Sequence, residues 1–410
     1  MLTHILSERS AQYLLLEDKY SAHNYHPLPV VLEKGKGVFL YDVDSKRYYD
    51  FLSGYSAVNQ GHCHPKIIET FINQTQKLTL TSRAFHNNLF GEFAEFITQY
   101  FGYDKVLPMN TGVEAVETAI KLARRWGYTN KGIGENKVKI IVCADNFHGR
   151  TSTVISFSTD PGSYDRFGPY MPGFEIVEYN NLHAIEVAFQ DKNVAAILVE
   201  PIQGEAGVVV PDDGYLQGIR NLCNEYNVLF LADEIQTGLC RTGKLLACDH
   251  ENVRPDILIL GKALSGGTMP VSCVLCDNAI MMNIKPGEHG STYGGNPLAC
   301  AVTVTSLKVL REEKMAENAA AMGILLRAEL NKLQSPFIKT IRGKGLLNAI
   351  VIEHVNKDAA WDLCLALKEN GLLAKPTHGD KIRFAPPLII NAEQIKECVG
   401  IINESLKILF

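Results

Sequence analysis

Residues 228–267 constrain the fold most strongly, because two short apolar runs in this stretch each lead into a charged residue. The runs 228–232 and 257–260 have the length and apolar content of strands buried in a parallel sheet. Asp233 follows the first run and Lys262 follows the second. Taken singly, the lysine fits an exposed strand end and the aspartate fits a helix cap. Because ligands of open α/β sheets bind outside the carboxyl ends of the strands, we expect both charges to face one cleft.

Two further apolar runs end in polar clusters in the same way. Residues 137–144 lead into DNFHGR (145–150), and residues 195–199 lead into EPIQGE (200–205). In the first cluster, Phe147 can stack on a flat heterocycle, and Arg150 can bind a carboxylate through two parallel hydrogen bonds. Four runs of this kind predict one mostly parallel sheet with a common active edge.

A capped helix is predicted to begin after Thr111. Thr111 and Glu114 form a T-x-x-E capping box, apolar residues repeat at helical spacing, and Gly127 is expected to end the helix. The first amides, at Gly112 and Val113, are free to bind an anion, and the glycine lets the backbone approach it closely. Capping boxes are common, so this stretch alone also fits an ordinary helix. Beside the charged pair, a phosphate site is the better interpretation.

Composition and charge exclude several classes of protein. The 410 residues are 46% hydrophobic and 21% charged, and the net charge of -5 includes no basic stripe. We therefore expect no binding of nucleic acid or anionic membranes, and no apolar window is long enough for a membrane span. The HCH sequence at 62–64 cannot easily converge on one ion, so no metal site is expected.

Cysteine usage and the N-terminus bear on the compartment. The ten cysteines are scattered without CxxC pairs, which is typical of reduced thiols. The first residues lack the features of a signal or transit peptide, which favours a cytoplasmic protein. A mitochondrial leader removed from the chain would leave the same sequence.

The pattern changes after Pro297, where long helices alternate with short strands. We predict helices at 298–310, 315–333, 359–370 and 392–409, and a single strand at 342–352. Residues 35–49 predict a β-hairpin. The expected fold is α/β: a large domain (50–297) with a mostly parallel central sheet covered by helices, and a smaller α/β domain. The N-terminal segment (1–49) is expected to join that smaller domain, which is built from 298–410.

The motifs ADEIQTG (232–238) and LGKALSGG (260–267) together resemble the signature of the class III aminotransferases, a fold-type I family that uses pyridoxal 5'-phosphate. From residue 20 onwards the chain is similar to the ornithine aminotransferase family within that class. The segments that carry the likeness include SAHNYHPLPV, YSAVNQGHCHP, PMNTGVEA, VEPIQGEAGVVVP, GEHGSTYGGNP, RGKGLLNAI and RFAPPL. Motifs this numerous and this widely spread are highly specific.

The resemblance implies a role for each residue around the cofactor. Lys262 would bind its aldehyde as a Schiff base and then move the proton, while Asp233 keeps the pyridine nitrogen protonated. Gln236 would contact the phenolic oxygen, and Phe147 and Ile235 would enclose the ring.

The phosphate contacts that the resemblance implies involve two subunits. Gly112 and Val113 would bind the phosphate from one chain, and Ser291 and Thr292 would reach across from its partner. The expected active unit is therefore a homodimer with shared active sites.

The implied reaction is a ping-pong transfer of the δ-amino group of L-ornithine to 2-oxoglutarate, giving glutamate 5-semialdehyde and glutamate. Tyr25 and Arg150 would hold the α-carboxylate end of ornithine away from the cofactor, and Tyr55 is a further candidate substrate contact. Glu205 would mask Arg383 by a salt bridge during the ornithine step and release it for the keto acid.

Two residues depart from the family pattern. His148 stands where some ornithine aminotransferases carry a larger aromatic, and its NFHGR string also suits acetylornithine aminotransferases. Cys240 occupies a position that is usually small. An acetylornithine aminotransferase or another ω-aminotransferase is therefore the alternative, whereas Tyr25 favours ornithine. A non-catalytic protein with the same fold is disfavoured, because Lys262, Asp233 and Arg150 are all present.

Overall fold

The computed structural model describes residues 7–410, so the first six residues of the predicted N-terminal segment lie outside the described part. The strands are β1 (Leu32–Lys36), β2 (Phe39–Asp42), β3 (Arg47–Asp50), β4 (Lys105–Met109), β5 (Lys139–Cys143), β6 (Phe174–Val177), β7 (Val194–Val199), β8 (Leu229–Asp233), β9 (Ile257–Leu260), β10 (Ser272–Cys276), β11 (Ile338–Lys344), β12 (Leu347–Ile352), β13 (Leu372–Leu373), β14 (Lys375–Thr377) and β15 (Lys381–Phe384).

The helices follow the same chain order. They are α1 (Glu8–Tyr20), α2 (Ser53–Ser56), α3 (Pro65–Thr75), α4 (Asn88–Phe101), α5 (Gly112–Thr129), α6 (Ser152–Ile155), α7 (Pro161–Tyr164), α8 (Leu182–Phe189), α9 (Tyr215–Tyr226), α10 (Asn278–Met281), α11 (Pro297–Glu312), α12 (Met315–Leu330), α13 (Ala359–Glu369) and α14 (Ala392–Ser405), with short 3₁₀ turns at Ala247–His250, Lys262–Ser265 and Leu406–Leu409.

The central sheet has seven strands in the order β4-β10-β9-β8-β7-β5-β6. Strands β5 to β9 pair in parallel, and β10 runs antiparallel to both β9 and β4. The predicted mostly parallel sheet is confirmed. Asp233 pairs with Ile259, so Asp233 and Lys262 both lie at the carboxyl edge.

Burial on both faces explains why these strands read as continuous apolar runs. Every residue of β7, β8 and β9 is buried. Helix α5 contributes to the apolar core on one face of the sheet, and α8 and α9 contribute to the core on the other. Parallel sheets with both faces covered require such runs.

Two smaller sheets form the rest of the β structure. One has the order β1-β2-β3-β13, and the other is the antiparallel sheet β11-β12-β15-β14. Strand β3 pairs in parallel with β13, with Tyr49 opposite Leu372 and Asp50 opposite Leu373. The N-terminal hairpin therefore shares a sheet with residues near the carboxyl end of the chain.

The single strand predicted at 342–352 was wrong, because this stretch belongs to the hairpin formed by β11 and β12. The chain reverses at Gly345, with Lys344 paired to Leu347. Gly345 has φ of +55°, and a Cβ there would lie 2.2 Å from the carbonyl carbon of Thr242. Only glycine fits this turn, and its apolar flanks obscured it in the sequence.

The prediction that Gly127 ends α5 was wrong, because the helix continues to Thr129. A Cβ on Gly127 would lie 2.9 Å from both the Cβ of Ala195 and a methyl group of Val138. The glycine allows the helix to pack closely against the sheet, so its role is packing and not termination. Within residues 7–410, no helix combines the length and hydrophobicity needed to cross a membrane.

Candidate active site

A cavity of about 310 Å³ opens at the carboxyl edge of the central sheet. Four of the residues predicted from the sequence, namely Tyr55, Arg383, Ser291 and Thr292, do not form its wall. The residues that line it are Tyr25, Gly112, Val113, Phe147, His148, Gly149, Arg150, Glu200, Glu205, Asp233, Ile235, Gln236, Thr237 and Lys262.

Lys262 follows β9 in a backbone conformation that L-residues seldom adopt. Its φ is +45°, at the start of the short 3₁₀ turn. Burial lowers the pKa of the Lys262 amine, against the opposing influence of Glu205 and Asp233. A lowered pKa favours the neutral amine, which is the form that attacks an aldehyde or accepts a proton.

Asp233 ends β8 and is held by two hydrogen bonds. Its Oδ2 accepts from Nδ1 of His148 at 2.7 Å, and its Oδ1 accepts from the amide of Ile235 at 3.1 Å. Burial works against a charge on His148, but the bond and the charge of Asp233 outweigh it and raise the imidazole pKa. Two donors thus orient the carboxylate at the cavity wall.

Glu200 is a cavity residue that was not selected from the sequence. It directly follows β7, and its Oε1 accepts a 2.9 Å hydrogen bond from the amide of Phe147. Burial raises the pKa of the Glu200 carboxyl to about 7. The rule that selected Asp233, a charge directly after a buried strand, identifies Glu200 equally well.

The predicted capping box at the start of α5 is confirmed. The amide of Glu114 donates to the Thr111 hydroxyl at 3.4 Å, and the amide of Thr111 donates to the Glu114 carboxylate at 2.7 Å. The amides of Gly112 and Val113 lie at the positively polarised end of this helix. A Cβ on Gly112 would lie 3.1 Å from a methyl group of Ile235, so the glycine keeps this corner of the cavity open.

Glu205, in the cavity wall, forms an ion pair with Arg383, which lies behind the wall. Nη1 of Arg383 donates to Oε1 of Glu205 at 2.6 Å, and Arg383 is only 2% exposed. Burial opposes the charge of Glu205, but Arg383 and Lys262 outweigh it and lower the Glu205 pKa. Glu205 therefore stands between the cavity and Arg383 and covers its positive charge.

Gln236 also contacts this ion pair. Its Nε2 donates to Oε1 of Glu205 at 3.1 Å and to the carbonyl of Tyr55 at 3.4 Å. A Cβ on Gly204 would lie 1.5 Å from Oε1 of Gln236, so a side chain at Gly204 would displace the Gln236 amide from this position. The amide of Gln236 links the cavity to the charge pair.

Tyr55 lies behind the cavity, in a strained turn. Residues 53–56 form α2, in which Ser53, Tyr55 and Ser56 have φ values of 50°, 59° and 70°. The Ser53 hydroxyl donates to the carbonyl of Ala385 at 2.7 Å, which helps to hold the turn. The guanidinium of Arg383 lies 5.2 Å from the centre of the Tyr55 ring. Backbone strain of this kind is concentrated at functional sites.

Tyr25 and Arg150 form another part of the cavity wall. The guanidinium of Arg150 lies 5.6 Å from the centre of the Phe147 ring and donates to the Ser163 hydroxyl at 3.3 Å. Within residues 7–410, no carboxylate forms an ion pair with Arg150. Its positive charge is therefore available to a ligand, in contrast to that of Arg383.

Three predicted or noted residues lie away from the cavity of their own chain. The hydroxyl of Ser291 accepts hydrogen bonds from the side chain of Asn110 at 2.8 Å and the amide of Gly294 at 3.1 Å. Thr292 is exposed. Cys240 is buried at a turn with φ of +72°, and burial raises the pKa of its thiol to about 12. Cys240 is not among the described residues that line the cavity.

Comparison with known proteins gives a consistent result along the chain. Residues 20–406 match the family described as Aminotransferase class-III. The mitochondrial ornithine aminotransferase of Rattus norvegicus is 64% identical over 97% of this chain and 91% of its own.

Solved structures resemble the fold equally closely. The ornithine aminotransferase of Toxoplasma gondii, crystallised with partial occupancy of PLP at its active site, superposes with a TM-score of 0.95 at 48% identity, covering 98% of this chain and 94% of that one. The acetylornithine aminotransferase of Elizabethkingia anophelis has a TM-score of 0.89 at 56% identity, covering 97% and 99% of the two chains.

Proposed function

Because this chain belongs to the class-III aminotransferase family, we propose that it transfers the δ-amino group of L-ornithine to 2-oxoglutarate. The products are glutamate 5-semialdehyde and glutamate, and the cofactor is pyridoxal 5'-phosphate. The two substrates use the same site in turn, in a ping-pong sequence.

The Glu205–Arg383 ion pair is the observation that carries this proposal. Arg150 is unpaired by any carboxylate in the described chain, whereas Arg383 is covered by Glu205 at 2.6 Å. With the pair closed, the described residues of the site offer one guanidinium without a carboxylate partner, that of Arg150, which suits a substrate with one carboxylate and an aliphatic amine. With the pair open it offers two, which suits a dicarboxylate such as 2-oxoglutarate.

The residues of the cavity fit pyridoxal phosphate. The helix start at Gly112 and Val113 suits the phosphate, and the carboxylate of Asp233 suits a protonated ring nitrogen. When bound, this cofactor supplies a ring that accepts electrons from the carbon bearing the reacting nitrogen. Lys262 has a pKa lowered by burial, so its amine can take and return the proton at that carbon.

The remaining cavity residues are proposed to position the ring and the substrate. Phe147 and Ile235 enclose the ring, and Gln236 contacts its phenolic oxygen. Tyr25 and Arg150 bind the α-carboxylate end of ornithine, so that the δ-amine reaches the reacting position. Tyr55, which lies beside Arg383 behind the cavity, is proposed to contact the part of a substrate that Arg383 binds.

We infer that the active unit is a homodimer. Ser291 and Thr292 lie off the cavity of their own chain, which supports a contact with the phosphate in a partner subunit. Phe85 and Tyr293 are 71% and 58% exposed, and large exposed apolar side chains are features that a subunit interface covers.

Acetylornithine is the second candidate substrate. The Elizabethkingia relative named for it is 56% identical, compared with 48% for the Toxoplasma ornithine enzyme. His148, which directly contacts Asp233, is part of the string that suits both groups. The curated relatives at 54–64% identity, in contrast, carry ornithine in their names.

We propose that the protein is cytoplasmic and that its chain divides into three segments. The ten cysteines are all unpaired, which supports a reducing compartment such as the cytoplasm, although the rat relative is named mitochondrial. The division into 1–49, 50–297 and 298–410 is supported by the sheet that joins β3 to β13.

A single-turnover experiment tests the substrate. The cofactor-loaded protein is mixed separately with L-ornithine and with N-acetylornithine, the cofactor absorbance is followed, and the product is identified. We expect rapid conversion by ornithine with release of the semialdehyde, which then cyclises. Preference for the acetylated amine would assign the protein to the second candidate, and no reaction with either amine would reject both.

A further inference from the structure

We propose that Arg342 is a second docking position for the Glu205 carboxylate: Glu205 leaves Arg383 and binds Arg342 while a dicarboxylate occupies the site. The inference rests on the proposed function, in which Arg383 must be freed for the second substrate. It makes Arg342 a positioning residue that acts through Glu205.

A second cavity lies directly beside the active site on the far side of Glu205. Its volume is about 440 Å³, and Phe147 and Glu205 line both cavities. Its wall includes the basic residues Arg342, His378 and Lys381. Glu205 therefore borders both cavities, and the second cavity offers its side chain space away from Arg383.

Two acidic residues, Asp145 and Asp160, also line this second cavity. Both already accept local hydrogen bonds. Asp145 accepts from the Thr159 hydroxyl at 3.2 Å, and Asp160 accepts from the Ser163 hydroxyl at 2.8 Å.

The loop that carries Glu205 is attached to the strands that carry the basic residues. The hydroxyl of Thr377 donates to the Glu205 carbonyl at 2.6 Å, and Nε of Arg342 donates to the Gly207 carbonyl at 2.8 Å. A Cβ on Gly207 would lie 3.2 Å from Nη2 of Arg342. The Arg342 guanidinium is thus held against the backbone of Gly207, which follows Glu205 by two residues.

Arg342 has a hydrogen-bond donor that is unused while Glu205 is paired with Arg383. Its Nη2 is buried and has no hydrogen-bond partner among residues 7–410. A buried N–H without a partner costs free energy that a carboxylate would recover. Lys381, in contrast, is already paired with Asp380 at 2.5 Å. Arg342 is therefore the better receiver.

A second position for the Glu205 carboxylate lowers the free-energy cost of its departure from Arg383. A Glu205 carboxylate that left Arg383 without finding another partner would lose a charge-assisted hydrogen bond inside the protein. That loss would be subtracted from the affinity for the incoming dicarboxylate, because a ligand can only shift an equilibrium by its own preference. An exchange of one guanidinium for another keeps the two states close in free energy.

Binding of glutarate, an unreactive dicarboxylate, tests the proposal without turnover. The cofactor-loaded protein and its Arg342→Gln variant are titrated by calorimetry, and Lys339→Gln on the same strand is the control for net charge. Lys339 pairs with Glu353 at 2.8 Å and lines neither the active-site cavity nor the cavity beside it. We expect Arg342→Gln to weaken glutarate about tenfold, because it removes one charge-assisted bond of the open state. Lys339→Gln should bind glutarate as the parent does, and Arg342→Lys should restore part of the affinity.

A double-mutant comparison separates action through Glu205 from direct attraction of the ligand. In a Glu205→Ala background, Arg342→Gln should leave the glutarate affinity unaltered, since no carboxylate remains to be received. An equal loss in both backgrounds would overturn the proposal, as would a parent-like affinity in the single variant. The rate of the 2-oxoglutarate half-reaction should fall with the affinity, while the ornithine half-reaction falls less than twofold.

A structure of the parent protein with glutarate decides the matter even if Arg342→Gln fails to fold. We expect Glu205 within hydrogen-bond distance of the Arg342 guanidinium, and a Glu205 that points elsewhere contradicts the proposal. Failure of the proposed function is distinguishable, because a protein that binds glutarate but does not accept ornithine rejects the reaction and leaves this test valid.

Discussion

Nδ1 of His148 donates a 2.7 Å hydrogen bond to Oδ2 of Asp233, and both side chains are buried at the carboxyl edge of the central sheet. Asp233 belongs to the family signature, whereas His148 is a position at which this chain departs from the family pattern. Asp233 raises the pKa of His148, so the pair favours a charged imidazole beside a carboxylate. The acid proposed to hold the cofactor nitrogen is thus itself held in place by the His148 imidazole.

Asp233→Asn is expected to lower kcat/KM for ornithine severely. The variant keeps the shape of the Asp233 side chain but loses its negative charge. The protonated ring nitrogen of the cofactor would then be a buried charge without a partner, which costs about 3 kcal/mol and corresponds to roughly a hundredfold in rate. His148→Gln, which retains a hydrogen-bond donor, should have the smaller effect. Steady-state kinetics of both variants provide the check. An Asp233→Asn enzyme as active as the parent would remove Asp233 from the catalytic role.

Glu200 is expected to make stability depend on pH between its ordinary pKa and its pKa in the folded protein. Burial raises that pKa from 4.5 to about 7, so the fold favours the protonated acid. The stability it contributes is complete below pH 4.5 and is lost as the pH rises through 7. Relative to Glu200→Gln, the parent should lose roughly 1–3 kcal/mol of unfolding free energy over this interval. Urea denaturation at several pH values measures the difference. Parallel stability curves for the two proteins would show that Glu200 does not titrate there.

Tyr25→Ile is expected to change which amine the enzyme prefers. Tyr25 lines the cavity together with Arg150, where the ornithine α-carboxylate is proposed to bind. Loss of the phenol should weaken ornithine and favour amines that lack an α-carboxylate, by about tenfold for one lost hydrogen bond to a charged group. Tyr25→Phe, which retains the ring, separates the contribution of the hydroxyl. The measurement is a competition between ornithine and an amine that lacks an α-carboxylate. An unaltered preference would reject Tyr25 as the selecting residue.

Glu205→Ala is expected to uncover Arg383 permanently. Ornithine turnover should then fall far more than the use of α-amino acids such as glutamate, because a second free cation suits a second carboxylate. Half-reaction rates for ornithine and glutamate measure the two effects separately. Equal losses for both substrates would mean that Glu205 supports the site without selecting between the substrates.

The sequence predicts the edge of the sheet well, for a physical reason. A strand buried on both faces must be apolar throughout, so a charge directly after it is conspicuous, as at Asp233 and Lys262. The capping box at Thr111 is similarly local, since its partners lie three residues apart. Where both the pattern and its cause are local, the prediction is confirmed by the structure.

Other features depend on contacts that are distant in the sequence. Glu205 and Arg383 are 178 residues apart, so only the family resemblance brought them together before the fold was known. The sequence does not reveal the roles of Gly127 and Gly345, because each glycine packs closely against a residue that is distant in the sequence. These residues are Ala195 and Thr242, respectively. Glu200 could have been selected by its position after a strand, but its raised pKa comes from burial that the sequence does not reveal.

Transfer of an isotope-labelled nitrogen tests the central claim most directly. L-Ornithine labelled only at its δ-nitrogen is incubated with the cofactor-loaded protein and 2-oxoglutarate, and the glutamate formed is analysed by mass spectrometry. The arrangement of Tyr25, Arg150 and the masked Arg383 predicts that the glutamate carries the label. Unlabelled glutamate would mean that the α-amine reacts, and would contradict this account of the site.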